Sequence, residues 1–75
     1  MNEPLHLELR GEHITLDALL KATGLVPSGG AAKSLIADGG VQVNGQTETR
    51  RGRKLRAGDE VAVGDARVRI APPGG

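Results

Sequence analysis

The hydrophobic period of this chain changes at Gly39-Gly40, and that change limits the folds open to it. Before it, Leu16, Leu19 and Leu20, and then Ala32, Leu35 and Ile36, recur at three- and four-residue intervals, the stripe of a helix with one apolar face. After it the apolar residues alternate: Val41 with Val43, Val61 with Val63, then Ala66, Val68 and Ile70. Leu5, Leu7 and Leu9 alternate in the same way with His6, Glu8 and Arg10 ahead of the helices, predicting a strand with one buried face. The pattern is a strand, a helix–loop–helix, and then a set of strands ending in a C-terminal hairpin.

Punctuation supports these limits. Thr15 is placed to cap the first helix, Asp17 suits its first turn, and Gly24 suits a left-handed stop. Pro27 breaks the chain, Ser28 is placed to cap the second helix, and Gly39-Gly40 ends it. Asn44-Gly45 is a hairpin-turn signal, and Gly64-Asp65 separates the last two strands. Ala71-Pro72-Pro73-Gly74-Gly75 is not expected to continue a ladder, so the reading is one domain over 1–75, with a core over 5–70 and a flexible tail over 71–75. No internal repeat or linker interrupts it.

At 75 residues without Cys, Trp, Tyr or Phe, the core must be built from Leu, Ile, Val and Ala. Those absences exclude disulfide staples, zinc fingers, iron–sulfur sites, cysteine nucleophiles and folds that stack bases on aromatic platforms. No apolar run is long enough to cross a membrane, and MNEPLHLELR lacks the basic-then-apolar order of a signal peptide, so a cytoplasmic protein is expected.

A net charge of +1 gives no general attraction to a polyanion, so local distribution decides. Arg50, Arg51, Arg53, Lys54 and Arg56 place five of the ten basic residues within seven positions, whereas Glu3, Glu8, Glu12 and Asp17 face Arg10 alone in the first 20. Guanidinium groups suit phosphate because they offer a planar fork of donors. The alternative is a solvated loop that serves solubility. Lys33 has no acidic residue four positions before it, and Gly29 and Gly30 leave backbone amides approachable for phosphate at the start of the second helix. Lys21, by contrast, has Asp17 one turn earlier and is expected to form a helix-face ion pair.

His6 and His13 lack a third ligand at metal-binding spacing, and Ser28 and Ser34 lack a positioned base, so neither a metal, a cofactor nor a catalytic group is expected. Gly74-Gly75 keeps one alternative open, a sulfur-carrier-like protein activated at its C-terminus. The opening strand followed by two helices differs from the hairpin that begins a β-grasp fold, and Pro72-Pro73 stiffens the tail.

From Ile14 to Val63 the chain resembles the RNA-binding domain named after the fourth small-subunit ribosomal protein, the αL motif. The resemblance is carried by LDALLKATGL, SGGAAKSLIADGGVQVNG and LRAGDEV, with Ser28, Ala32, Ile36, Gly40, Val41, Val43, Asn44, Gly45, Gly58 and Asp59 in combination. SGGAAK and ETRRGRKLRAGD look like the stand-alone bacterial YbcJ-like proteins of that family. It implies an α+β fold in which the two helices pack on a small, mainly antiparallel sheet.

It also implies non-catalytic binding of structured RNA, either ribosomal RNA, an assembly intermediate of the ribosome, or tRNA, by a monomer. Carried onto this chain, the RNA surface comprises Lys33, Gln42, Asn44, Arg50, Arg51, Arg53, Lys54 and Arg56, with Gly29 and Gly30 replacing the Arg that many relatives carry after the helix-starting Ser. A module that docks its basic loop on an acidic protein is the competing class.

Overall fold

Two helices with different starts and matching ends form the first half of the domain. The computed structural model describes residues 4–74; residues 1–3 and Gly75, the end of the Gly-Gly terminus, lie outside them. Strands β1 (Leu5–Glu8) and β2 (Ile14–Thr15) lead into helix α1 (Leu16–Ala22), and helix α2 (Gly29–Ala37) follows after a short loop.

Ser28 caps α2 as its position suggests, its Oγ accepting the N–H of Ala31 at 3.1 Å. Thr15 stands at the N-cap of α1 without capping it. Its hydroxyl donates instead to Asp17 Oδ1 at 2.7 Å, and the same oxygen accepts the N–H of Ala18 at 2.8 Å. No ion pair within contact distance joins Asp17 to Lys21 among the described residues, although the bond from the Thr15 hydroxyl, foremost, and the Lys21 charge both lower the pKa of the Asp17 carboxyl. Each helix ends with paired 5→2 and 6→1 bonds. At α2, Gly39 N–H reaches Ile36 and Gly40 N–H reaches Leu35, which requires the left-handed φ of +80° at Gly39.

The second half supplies β3 (Gln42–Val43), β4 (Gln46–Thr47), β5 (Lys54–Leu55), β6 (Glu60–Val63) and β7 (Ala66–Ala71). Five strands make one sheet in the order β1-β7-β6-β3-β4, antiparallel except for the parallel β1–β7 pair, while β2 and β5 form a separate antiparallel ladder. Asn44-Gly45 makes the two-residue turn between β3 and β4 with φ of 52° and 84°, as an Asn-Gly hairpin demands. Gly64-Asp65 makes the turn between β6 and β7.

The core lies between helices and sheet. Leu16, Leu19, Leu20, Ala32 and Ile36 meet Val41, Val43, Val61, Val68 and Ile70, all buried, and Leu55 of β5 joins them. Alternation along β1 does not translate into one buried face: Leu5 is 45% exposed, Leu7 is half-buried and Leu9 is buried. The strand is at the sheet edge, and only its C-terminal end reaches under the helices.

At the other terminus β7 runs one residue further than expected, Ala71 pairing with Glu8 and accepting the N–H of Leu9 at 3.0 Å. Pro72 ends the ladder, and the N–H of Gly74 donates to Glu8 Oε1 at 3.2 Å. No helix among the described residues is long and apolar enough to cross a membrane.

Candidate nucleic-acid interface

The basic run is held in place at both ends and in the middle. Glu48 begins it. Its N–H donates to the carbonyl of Val41 at 3.0 Å, and its side chain, with the residue only 7% exposed, points back along the loop. There Oε2 accepts the N–H and the Nε of Arg50, both at 3.1 Å, while Oε1 accepts Arg50 Nη2 at 3.3 Å and Arg53 Nη1 at 2.7 Å. These bonds, Arg50's foremost and Arg53's next, hold the Glu48 carboxyl down at about 2, and the same contact raises the pKa of the Arg50 guanidinium.

In the middle, Leu55 is fully buried and pairs with Ile14, and Lys54 pairs with Thr15. The loop also supplies the missing cap of α1: the N–H of Leu16 donates to the carbonyl of Arg53 at 2.9 Å and that of Asp17 to the carbonyl of Arg51 at 3.1 Å. At the far end Asp59 Oδ2 accepts the N–H of Arg56 at 2.8 Å, and Gly58 and Asp59 bond to Ile70 on β7. Four of the five basic side chains, Arg50, Arg53, Lys54 and Arg56, line one shallow open depression of about 490 Å³ together with Gly52. Arg50 and Arg53 share the Glu48 carboxylate, whereas no carboxylate among the described residues pairs with Lys54, Arg56 or the exposed Arg51.

The other expected site residues are not all brought here. Lys33 is exposed on α2, one turn beyond Gly29 and Gly30. Those glycines are exposed, with open space at Gly29 and only Ser28 Oγ, 3.9 Å from an added Cβ, beside Gly30, and their N–H groups have no acceptor among the described residues. Gln42 lies elsewhere. It pairs with Ala62, which pairs with Arg67, so these three share the sheet face turned away from the helices, and Gln42 and Lys33 stand on opposite sides of the sheet.

Asn44 belongs to the framework: its Nδ2 donates to Asp59 Oδ1 at 3.1 Å and its Oδ1 accepts the N–H of Glu60 at 3.0 Å. The expected continuous surface of α2, β3 and loop is therefore divided, and Gln42 and Asn44 drop out of its basic part. The charged residue of this loop that sequence reasoning missed is Glu48. Its signal is slight, an acid two and five positions ahead of arginines, and nothing in the local pattern says that it is buried.

The S4 domain family pattern matches residues 7–71. The chain is 40% identical over 63 residues to a Bacillus subtilis protein named "Probable ribosome maturation protein RlbA", covering 84% of this chain and 86% of that one. It is 41% identical over 58 residues to the Escherichia coli K12 protein named "Putative RNA-binding protein YbcJ", covering 77% and 83%. The solution structure of E. coli YbcJ, described as revealing an αL motif involved in RNA binding, superposes with a TM-score of 0.72 at 36% identity, over 95% of this chain and 91% of that one. A helix pair ahead of an Asn-Gly hairpin on a mostly antiparallel sheet, and a match over nearly the whole chain, define the class: this protein belongs to the S4 domain family. Within it, the chain is similar to small single-domain members of the YbcJ type along most of their length.

Proposed function

We propose that this domain binds structured RNA without catalysing a reaction, using the depression formed by Arg50, Arg53, Lys54 and Arg56 as its phosphate-gripping centre and Arg51 beside it. The observation that carries the reading is the anchoring of that loop. A run that served only solubility would not need a buried carboxylate, a buried leucine and a helix N-terminus to hold it, whereas a phosphate-binding surface gains from cations fixed in advance. Lys33, with the open amides of Gly29 and Gly30, forms a second contact area on α2.

Ribosomal RNA or a ribosome assembly intermediate is the favoured target. The name of the B. subtilis relative supports this choice over tRNA. Without aromatic side chains the domain has no stacking platform for splayed bases, so it recognises backbone shape and 2′-hydroxyls rather than sequence.

Fluorescence titration with an RNA stem-loop across a salt series tests the reading. Four or five neutralised phosphates correspond to a slope of log K against log salt of roughly −3 to −5, at about −0.7 to −0.9 per contact. Crosslinking and capture from lysate, with and without RNase, tests the acidic-protein alternative. Partners that survive RNase, together with a flat salt response to RNA, would overturn the proposal.

A further inference from the structure

Glu48 is an acid in the middle of a basic surface, and simple electrostatics makes it a liability there. It lies within hydrogen-bonding distance of two of the four cations that line the depression, and removing its charge raises the potential any phosphate meets. The geometry says otherwise. Both carboxylate oxygens are engaged, four donors converge on them, and the residue is almost wholly covered although its neighbours Thr49 and Arg50 are exposed. Arg50 and Arg53 thereby lose rotamer freedom before any ligand arrives, and each guanidinium has five N–H donors, so contact with Glu48 leaves others available. Arg50 uses Nε and Nη2 on the carboxylate and Arg53 uses Nη1; no bond occupies Arg50 Nη1 or Arg53 Nη2 among the described residues.

We infer that Glu48 is a positioning residue for RNA binding, one that orients Arg50 and Arg53 as a preformed pair of phosphate donors, so that this negative charge strengthens binding of a polyanion. The inference rests on the RNA reading above and adds a residue that reading does not require.

The test is a titration of a fluorescein-labelled RNA stem-loop with the wild-type protein, Glu48→Gln, Arg50→Ala/Arg53→Ala and the triple variant, at one fixed salt concentration, with thermal melting of each. Glu48→Gln keeps the shape and removes the charge. It is expected to bind about 3- to 10-fold more weakly than wild type, the scale of ordering one long side chain on binding, because the amide oxygen that remains still accepts from one of the two arginines. In the Arg50→Ala/Arg53→Ala background, where no arginine is left to position, the same change is expected not to weaken binding, the lost negative charge leaving it equal or slightly tighter. Equal or tighter binding by Glu48→Gln would overturn the inference and leave a simple Coulomb surface. Equal weakening in both backgrounds would also overturn it, since Glu48 would then act by holding the loop rather than the arginines. A wild-type protein that fails to bind in this titration would overturn the RNA reading itself, and this inference with it.

Discussion

The carbonyl of Arg53 accepts the N–H of Leu16 at 2.9 Å, which makes the basic loop the N-terminal cap of helix α1. One bond thus serves two levels of the structure. It satisfies a helix amide that Thr15 leaves unpaired, and it fixes the backbone from which the Arg53 guanidinium projects. Leu16 is fully buried, so the loop is referenced to the core through a residue that cannot move without opening it.

Leu55→Ala tests this coupling. Leu55 is fully buried, and its truncation is expected to cost about 2–5 kcal/mol in chemical denaturation, as a leucine removed from a packed core does. Because Leu55 pairs with Ile14, the ladder that holds the loop beside α1 loosens too. Amide exchange is expected to accelerate at Leu16 and Asp17, whose acceptors lie on that loop; unchanged protection there would show that the loop stays docked without its buried anchor.

The acid limb of stability should carry the signature of Glu48. Its carboxyl titrates at about 2 in the folded protein against 4.5 for the ordinary group, so the unfolded chain binds the extra proton first. The stabilisation is present above pH 4.5 and is lost as pH falls toward 2. Melting temperatures of wild type and Glu48→Gln, measured from neutral pH downward, are expected to converge across that window. Asp17, lowered mainly by its bond from the Thr15 hydroxyl, contributes in the same direction, and the comparison with Glu48→Gln removes its share. Parallel curves would show that Glu48 carries no linkage.

Lys54 and Arg56 line the depression without a carboxylate partner among the described residues, which makes them the cleanest probes of its charge. Changing both to Ala is expected to flatten the salt slope for an RNA stem-loop by about one to two units. Arg67→Ala, on the far face of the sheet beside Gln42, is expected to leave the slope unchanged, as is Gln42→Ala. A larger loss from the sheet-face variants would move the interface to that side.

Asn44 and Asp59 form a second testable pair. The Asn44 amide reaches Asp59 Oδ1 and the N–H of Glu60, both exposed bonds, so Asn44→Ala is expected to lower stability by about 0.5–1.5 kcal/mol, with little change in salt slope. Since Asp59 Oδ2 also holds the N–H of Arg56, Asn44→Ala and Asp59→Ala should be less than additive in a double-mutant cycle. Full additivity would make the two residues independent.

An RNA stem-loop is expected to outcompete its DNA counterpart at fixed salt. The chain has no aromatic side chain to stack on bases, and cations held at set spacings match one backbone geometry better than another. Equal affinities would leave a generic polyanion binder.

Local sequence determined much of this molecule. The two apolar stripes, the Ser28 cap, the Gly39-Gly40 stop and the Asn44-Gly45 turn all act within a few residues, so each is legible from the chain and each forms. The residues that carry the family resemblance have visible tasks of this kind: Ala32, Ile36, Val41 and Val43 fill the core, Gly40 lies where an added Cβ would meet Leu35 Cδ1 at 2.6 Å, and Asp59 holds the turn after Arg56.

Tertiary structure decided the rest. Whether Leu5 was buried depended on β1 being an edge strand, and whether Thr15 capped α1 depended on a loop some 36 to 38 residues away arriving with two carbonyls. Gln42 and Lys33 were separated by strand pairing between positions far apart in the chain, and whether Glu48 was buried depended on how the loop closed, although the arginines it binds are only two and five residues on. Hydrophobic period reports which face of an element seeks the core, a local property. It carries no information on which distant backbone group will reach a free amide, or on whether a loop will close so as to bury a carboxylate, and that is where the charge of this loop is arranged.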